Sequence, residues 1–257
     1  MKVPGGSFLR LLALIAHALL GAVIAALSPG HTLTETETGQ RIVRLWHRVL
    51  LAILGVRLRV HGTPAKCPAL IVSNHISWVD IPALGAVCFG HFVAKSEIST
   101  WPIIGWLARQ AGTFYIKRGD RKASAGVAER MSAAFRAHRS VLLFPEGTST
   151  NGQGVRAFHA RLFAAAIETG CPVQPVSVNY PDREGSIHRA APFIGEDTLL
   201  QHIWRLLRAR GEFVVDVQFL SPEPSLGLTA RALAERSRDV IVAHRKTLVK
   251  ASGGPPP

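Results

Sequence analysis

Apolar residues are spread unevenly along this chain, and their densest stretch lies near the amino terminus. From Phe8 to Leu27 the sequence is almost wholly apolar, and Arg10 and His17 interrupt it. Twenty helical residues extend about 30 Å, the thickness of the hydrocarbon core of a bilayer. The pattern predicts a helix that spans a membrane or lies in its interface, and a cleaved signal peptide is the competing interpretation. We favour an uncleaved membrane anchor.

The apolar spacing changes after this segment. The polar stretch from Ser28 to Gly39 contains the breaker Pro29-Gly30 and predicts a linker. From Gln40 to Leu54, apolar residues recur every three or four positions with arginines beside them, which predicts an amphipathic helix. Such a helix suits an anionic membrane surface, and it equally suits packing on a protein core. Because the apolar segment precedes it, we assign residues 1–55 to membrane-associating helices.

From residue 56 onward, short apolar runs alternate with helical patterns. Val56, Leu58 and Val60 alternate with arginines, which predicts a half-exposed strand at the edge of a sheet. Further strands are predicted at 69–73, 91–94, 113–116, 141–144, 173–178 and 213–219, and helices near 81–88, 101–110, 122–138, 157–168, 198–210 and 229–249. This order predicts an α/β fold with a mostly parallel or mixed central sheet flanked by helices. Residues 56–250 then form one domain, and the Gly/Pro-rich residues 251–257 form a disordered tail.

The charge balance indicates an anionic partner. Lys and Arg outnumber Asp and Glu by 30 to 17 in 257 residues, which gives a net charge of +13. Such a surface favours anionic lipid head groups, acidic proteins or nucleic acid. Nucleic acid is disfavoured because the basic residues are not interleaved with stacking aromatic residues, and because it leaves Phe8–Leu27 unexplained. The three cysteines have neither metal-ligand spacing nor a disulfide pattern, so we expect a reducing compartment and no metal.

The candidate chemistry begins in the loop after the strand predicted at 69–73. Asn74-His75 and Asp80 lie between that strand and a helix start, a common place for functional residues. A histidine takes up a proton near neutral pH, and an aspartate bonded to one ring nitrogen leaves the other nitrogen free as a base. On this stretch alone, Asp80 as a helix N-cap and His75 as a solvent-facing histidine are the alternatives.

This His-x4-Asp stretch resembles the first motif of the glycerolipid acyltransferase family, which includes the bacterial 1-acylglycerol-3-phosphate O-acyltransferases. Three later stretches resemble the other motifs of that family in the same order, namely Gly112–Arg118, Phe144–Thr148 and Val173–Val178. The resemblance covers roughly residues 60 to 220. Four ordered motifs in an alternating α/β pattern are far more specific than a single His-x4-Asp.

Two more predicted strand ends carry residues of the site that the resemblance implies. Sites in open α/β sheets form at the carboxyl ends of strands. By resemblance, Arg118 contacts the phosphate of the acceptor, and Glu146, Gly147 and Thr148 belong to the acceptor-binding site. From the residues alone, a solvated arginine and a turn at Asn151-Gly152 are the alternatives. Pro175 in the fourth motif removes a ladder hydrogen bond and indicates an edge strand or a bulge.

One position departs from the commonest pattern of the family. Many relatives have arginine after Glu-Gly-Thr, whereas this chain has Ser149. Arg156, His159 and Arg161 follow a short way downstream and are candidates to replace the missing cation. The Ser/Thr version of this loop also resembles that of lyso-ornithine-lipid acyltransferases. The identity of the acceptor therefore stays open between two lysolipids.

The resemblance implies a membrane-bound O-acyltransferase of phospholipid biosynthesis. It would move a fatty acyl group from a thioester to 1-acylglycerol-3-phosphate and give phosphatidic acid, with His75 as the base and Asp80 orienting it. The donor would be acyl-CoA or acyl carrier protein, without a cofactor. The site would face the cytoplasm on the bacterial inner membrane, in contact with anionic lipids. A lyso-ornithine lipid or another lysolipid is the alternative acceptor, and a lipid-surface thioesterase or hydrolase is a more distant alternative.

Overall fold

The computed structural model describes residues 4–28, 32–66, 68–117, 119, 121–209 and 212–251. The helices are α1 Pro4–Leu27, α2 Thr32–Glu35, α3 Glu37–Leu54, α4 Asp80–Gly85, α5 Ile104–Gln110, α6 Arg121–Arg136, α7 Ala164–Thr169, α8 Leu199–Arg208 and α9 Ala230–Ala251. The strands are β1 Val56–His61, β2 Leu70–Ser73, β3 His91–Lys95, β4 Phe114–Ile116, β5 Val141–Leu143, β6 Val173–Asn179 and β7 Phe213–Phe219. Short 3-10 helices cover Ser96–Thr100 and Ala160–Phe163. Of the predicted tail at 251–257, all but Ala251 lies outside the described residues.

The strands form one mixed sheet. Within the described residues, seven strands lie in the order β1-β7-β6-β2-β5-β3-β4. Neighbours are parallel except β6 and β7, so β1 and β7 run opposite to the other five strands. The predicted α/β fold is therefore confirmed, and β1 is an edge strand as its alternating arginines predicted.

Two hydrophobic clusters cover the two faces of this sheet. Side chains alternate between faces along a strand, so neighbours in sequence enter different clusters. In β2, Ile71 joins one cluster, whereas Leu70 and Val72 join the other. The first cluster includes residues of α3, α4 and α8, and the second includes residues of α6, α7 and α9. The molecule is thus a sheet between two helical layers.

The described part of the stretch predicted as a linker is largely helical, so that prediction was wrong there, and the predicted breaker Pro29-Gly30 lies outside the described residues. After α2, helix α3 begins at Glu37 instead of near Gln40. The hydroxyl of Thr36 accepts the N–H of Gly39 at 3.0 Å, the bond of a threonine N-cap. Because Ser and Thr favour both loops and helix starts, polar composition alone did not separate the two.

Pro175 lies in a central strand, not at an edge, and a bulge accommodates it. On the β7 side of β6, Val176 pairs with Phe219 and Val173 pairs with Glu223. Between these pairs, two residues of β6 oppose three residues of the segment after β7, and the third is the extra residue of a bulge. The hydrogen-bond ladder between β6 and β7 is interrupted where the proline lacks its N–H. Of the two predicted alternatives, an edge strand and a bulge, the bulge is confirmed.

Helix α1 is packed along the domain. The hydroxyl of Ser7 donates to the carbonyl of Leu207 in α8 at 3.1 Å, and Leu11 packs against the core. Farther along, Gly21 lies against the indole of Trp46 in α3, where an added Cβ would come within 2.8 Å of Nε1. These contacts extend over most of the helix and fix its direction relative to the domain.

The outer face of α1 is apolar and exposed. Its exposed side chains are Phe8, Leu9, Leu12, Ile15, Leu19, Leu20, Val23 and Leu27. By length and composition, Gly6–Leu27 is the one helix of the described chain that could cross a membrane. A contiguous apolar face of this kind indicates contact with lipid or with another protein.

Helix α4, which begins with Asp80, is supported from behind by α3. His47 of α3 is buried against Gly85, where an added Cβ would lie 2.3 Å from Nδ1 of the imidazole. Burial lowers the pKa of His47 to about 4, so the ring is neutral at pH 7. The absence of a side chain at position 85 therefore allows the two helices to approach closely.

We predict that Gly85→Ala destabilises the protein, whereas Gly126→Ala stabilises it. The added methyl collides with His47 at position 85, which should cost roughly 1–3 kcal/mol of unfolding free energy. At Gly126 in α6 the methyl meets nothing within 4 Å, so helix propensity should stabilise the fold by about 0.5–1 kcal/mol. Denaturant unfolding in detergent measures both variants. Equal stabilisation by the two substitutions would contradict the close contact between α3 and α4.

Candidate active site

The structure brings His75 and Asp80 into direct contact. Nδ1 of His75 lies 2.7 Å from Oδ2 of Asp80, and the same oxygen accepts the N–H groups of Ile76 at 2.7 Å and Ser77 at 3.0 Å. Asp80 is fully buried. Because these partners donate to the carboxylate, the ring proton belongs on Nδ1 and the lone pair on Nε2. The residue at the N-cap position of α4 is Val79, so the N-cap alternative for Asp80 is excluded.

Asn74 anchors the start of this loop to the sheet. Its amide nitrogen donates to the carbonyl of Val178 at 2.9 Å, and its amide oxygen accepts the N–H of Val178 at 2.8 Å. The side chain thereby continues the pairing of β2 with β6 after β2 has ended. His75 consequently leaves the sheet from a fixed point at the carboxyl end of a central strand.

The loop that follows β5 holds the backbone of His75 on both sides. The N–H of His75 donates to Oε1 of Glu146 at 2.7 Å. The N–H and the hydroxyl of Thr150 donate to the carbonyl of His75 at 2.8 and 3.1 Å. The ring of Phe144 stacks on the imidazole with centroids 4.2 Å apart. The third motif therefore positions the N–H and the ring plane of His75, and Thr150, two residues beyond that motif, holds its carbonyl.

Glu146 connects two segments of the chain. Its second oxygen, Oε2, accepts the N–H of Arg156 at 2.7 Å, and the side chain is 4% exposed. Burial raises the pKa of Glu146, and the two backbone N–H donors partly oppose that rise. Both carboxylate oxygens thus have partners within the protein. Binding of the acceptor by Glu146 stays a prediction.

Gly147 and Thr148 continue the same loop. Gly147 has φ 69°, in the left-handed region that glycine tolerates, and its N–H donates to the carbonyl of Phe144 at 3.0 Å. That N–H therefore closes a turn inside the protein. Thr148 lines an open cleft of about 540 Å³. Their roles in acceptor binding likewise remain predictions.

The cleft places Ser149 and Arg156 at one surface. The cleft is lined by Thr148, Ser149, Thr150, Asn151, Gly154, Val155, Arg156, Ile194 and Gly195. The hydroxyl of Ser149 donates to the carbonyl of Phe193, so it has a structural partner. Of the three downstream candidates for a replacement cation, Arg156 lines the cleft, whereas His159 and Arg161 do not.

Arg118 lies outside the described residues. The strand before it, β4, ends at Ile116 at the edge of the sheet, three strand positions from β2. At the usual strand spacing, this separation is about 14 Å. The predicted contact between Arg118 and the acceptor phosphate stays a prediction.

Two residues near Asp80 were not singled out from the sequence. The hydroxyl of Tyr180 donates to Oδ1 of Asp80 at 2.5 Å. The guanidinium of Arg245, in α9, donates to the carbonyls of Val178 at 2.8 Å and of Gly152. Burial lowers the pKa of Arg245, and the charges of Glu146 and Asp80 oppose that change. Tyr180 directly follows strand β6, and its position at a strand end could have indicated a residue of the site. Arg245 lies far in sequence from every motif.

Comparison with solved structures agrees with this architecture. The crystal structure of PlsC, the 1-acyl-sn-glycerophosphate acyltransferase of Thermotoga maritima, aligns with a TM-score of 0.68 over 95% of this chain and 94% of that chain. The sequences are 19% identical, so the likeness is one of fold. The sheet and its helical layers are those of a PlsC-like fold.

Sequence comparison identifies the family. Residues 57–179 match the family model described as Acyltransferase. A lyso-ornithine lipid O-acyltransferase of Pseudomonas aeruginosa is 43% identical over 236 residues, 90% of this chain and 89% of the relative. A 1-acyl-sn-glycerol-3-phosphate acyltransferase of Neisseria meningitidis is 32% identical over 186 residues, 72% of each chain. The chain belongs to the acyltransferase family of lysophospholipid-acylating enzymes, which confirms the resemblance of its four motifs.

We predict that Glu146→Gln lowers both stability and acyl transfer, whatever the acceptor. A glutamine retains one carbonyl oxygen, so the N–H of either His75 or Arg156 loses its acceptor. The buried unsatisfied group should cost about 1–3 kcal/mol of unfolding free energy. The matched control is Glu168→Gln, at an exposed carboxylate that accepts from Arg136 and Ser132, where a smaller loss of stability is expected because water can replace a lost partner.

The readouts are thermal unfolding and kcat and KM with two lysolipids. The contrary outcome is that Glu146→Gln leaves stability unchanged and raises the KM of one acceptor alone. Direct acceptor binding would then explain the role of Glu146 better than its hydrogen bonds to the N–H groups of His75 and Arg156.

Proposed function

We propose that this protein is a membrane-surface O-acyltransferase that acylates the free hydroxyl of a lyso-ornithine lipid. The observation that carries the proposal is the 2.7 Å contact between Nδ1 of His75 and the buried carboxylate of Asp80. This contact orients an imidazole with Nε2 as its basic nitrogen. Among the described residues, no hydrogen bond is made to Nε2.

The proposed reaction is a direct transfer. Nε2 of His75 removes the proton of the acceptor hydroxyl as its oxygen attacks the thioester carbonyl. The carbon–sulfur bond then breaks, and the imidazolium returns the proton to the leaving thiolate. Asp80 stabilises the imidazolium without taking its proton. The products are an ester and a free thiol, and no acyl-enzyme forms.

The surroundings of Ser149 support an acceptor without a phosphate monoester. A phosphate monoester carries close to two negative charges, and several cationic or N–H partners satisfy it best. Here the hydroxyl that replaces arginine is bonded to Phe193, and Arg156 is the charged residue among those lining the cleft. One guanidinium pairs well with the single carboxylate of an ornithine head group. The Pseudomonas aeruginosa relative, by its name, supports the same acceptor.

The second candidate acceptor is 1-acylglycerol-3-phosphate. The Neisseria meningitidis relative favours it, and Arg156 in the cleft supplies one of the cations that a phosphate needs. On this alternative, Arg118 supplies the other cation, and the product is phosphatidic acid. A thioesterase using the same His75 and Asp80 is the more distant alternative, since water would then replace the lipid hydroxyl.

Charge and exposure support the proposed donor and the proposed membrane face. Acyl-CoA and acyl carrier protein are both acidic, which suits a net charge of +13. The outer face of α1 would lie in the lipid interface, together with the exposed Trp101, Ile103 and Ile104 at the start of α5. Since α1 packs on the domain from Ser7 to Gly21, we favour a helix lying in the interface over one that spans the bilayer. The proposed location is the cytoplasmic side of the bacterial inner membrane.

We predict that purified protein with acyl-CoA or acyl carrier protein esterifies a lyso-ornithine lipid at least tenfold faster than 1-acylglycerol-3-phosphate. The physical reason is that Arg156 is the single cation among the described residues that line the cleft. Ser149→Arg should shift the preference toward the phosphate acceptor, because the guanidinium adds a charge-assisted contact of roughly 1.5–3 kcal/mol. Mass spectrometry of the lipid products measures both rates.

His75→Ala, which removes the base, is the inactive control, and free fatty acid is measured in parallel. Preferential acylation of 1-acylglycerol-3-phosphate by the natural chain would replace the proposed acceptor with the second candidate. Release of fatty acid at the same rate with and without a lysolipid would instead indicate a hydrolase.

We predict that Leu9→Glu combined with Leu20→Glu releases the protein from vesicles containing anionic lipid. Both leucines are more than half exposed on the outer face of α1. Burial of one leucine in lipid stabilises binding by about 1.5–3 kcal/mol, so each substitution should weaken it roughly tenfold or more. Leu226→Glu is the matched control, because Leu226 is 68% exposed in the loop before α9. Flotation of the double variant with vesicles at the natural level would exclude this face as the membrane contact.

A further inference from the structure

The carboxylate of Asp80 has a partner on each oxygen. His75 and two backbone N–H groups lie at Oδ2, and the hydroxyl of Tyr180 lies 2.5 Å from Oδ1. Tyr180 is the first residue after β6, and it is fully buried. The tyrosine therefore extends the His–Asp pair into a line of three side chains that come from two segments of the chain.

The hydroxyl of Tyr180 is held in its protonated, donating form. Burial and the charge of Asp80 raise the pKa of Tyr180 well above its ordinary value, and a hydrogen bond with the side chain of Ser77 opposes that rise only in part. A protonated phenol against an ionised carboxylate makes a short, charge-assisted hydrogen bond. Such a bond fixes the rotation of the carboxylate and draws part of its charge away from His75.

We propose that Tyr180 is a positioning residue of the acyltransferase, acting on His75 through Asp80. The inference rests on the proposed role of His75 as the base. By holding Oδ1, the phenol keeps Oδ2 directed at Nδ1, and by sharing the negative charge it limits how strongly the imidazolium is stabilised. Tyr180 then sets both the orientation of the base and the pH range in which it is unprotonated.

The phenol ring and the hydroxyl have separable functions. The ring packs beside Phe213, with centroids 5.6 Å apart, and belongs to the larger core cluster. Phenylalanine retains that packing and removes the hydroxyl alone. Other charges near the His–Asp pair come from the β5 loop and from α9, namely Glu146 and Arg245. Neither of them changes in a Tyr180→Phe variant.

The chain supplies a matched control, because it has two tyrosines. The hydroxyl of Tyr115 donates to the carbonyl of Gly105 at 2.9 Å, in a part-buried position away from Asp80. Tyr115→Phe therefore removes a phenol hydroxyl that has no contact with the His–Asp pair, although Tyr115 lies in the same motif as Arg118. We expect Tyr115→Phe to leave the pH profile unchanged, whatever its effect on kcat and on the acceptor KM.

The test compares full-length Tyr180→Phe and Tyr115→Phe in detergent micelles with lysolipid and acyl-CoA. Tyr180→Phe should lower kcat roughly ten- to a hundredfold, the effect typical of groups that orient a functional histidine, while the acceptor KM changes little. The acidic limb of its kcat/KM profile should move to higher pH, because the carboxylate then stabilises the imidazolium more strongly. An unchanged kcat and an unchanged profile would overturn the proposal.

A second experiment detects the same contact by a fluorine resonance and uses the rate profile as a further readout. In a Tyr115→Phe background, biosynthetic incorporation of 3-fluorotyrosine labels Tyr180 alone. The fluorine resonance of Tyr180 should shift when Asp80→Asn removes the charge. The more acidic fluorophenol should move the acidic limb of the rate profile to lower pH, opposite to Tyr180→Phe. A resonance that does not respond to Asp80→Asn would refute the contact, even if Tyr180→Phe fails to fold.

The two proposals fail in different ways. If the fluorine resonance responds to Asp80→Asn but no lysolipid is acylated by the natural chain, the proposed function is wrong and the contact stands. If lysolipid is acylated and Tyr180→Phe matches Tyr115→Phe in kcat and pH profile, the role of Tyr180 is wrong and the function stands.

Discussion

The structure of the site depends on one buried negative charge. Asp80 is inaccessible to water, and an ionised carboxylate in that position would cost several kcal/mol if it had no partners. Four donors surround it, namely the ring of His75, two backbone N–H groups of the same loop and the hydroxyl of Tyr180. The loop must therefore adopt the conformation that delivers its N–H groups inward, and this conformation also places the imidazole. One loop conformation therefore both supplies hydrogen-bond partners to the charge of Asp80 and orients the imidazole of His75.

The order of the strands explains how distant motifs reach that charge. β2 lies between β5 and β6, and these three strands are parallel, so their carboxyl ends meet at one edge of the sheet. His75 follows β2, the loop that contains Glu146 follows β5, and Tyr180 follows β6. The contacts that hold His75 in place are consequently made between residues at the ends of neighbouring strands. Asn74 strengthens this arrangement because its side chain prolongs the pairing of β2 with β6.

Much of this arrangement could be predicted from the sequence, and the remainder depends on contacts between distant residues. Apolar runs located the strands within a residue or two, since a buried strand and its period are local properties. The partners of Glu146 are backbone N–H groups, which carry no sequence signal, so its place between His75 and Arg156 was not predictable. The helical start at Thr36 was missed because threonine is equally common in loops and at N-caps. Arg118, which sequence resemblance alone indicates, lies outside the described residues.

The packing of α1 has a consequence for how substrates are found. A helix joined to its domain by a flexible linker acts as a tether, and the domain then samples many heights and tilts above the lipid. Here the contacts of Ser7 with α8 and of Gly21 with α3 hold the helix against the domain. If the outer face of α1 lies in the lipid, His75 is held at a constant depth. Acceptors then arrive by lateral diffusion in two dimensions, and the position of their free hydroxyl along the bilayer normal becomes a criterion of selection.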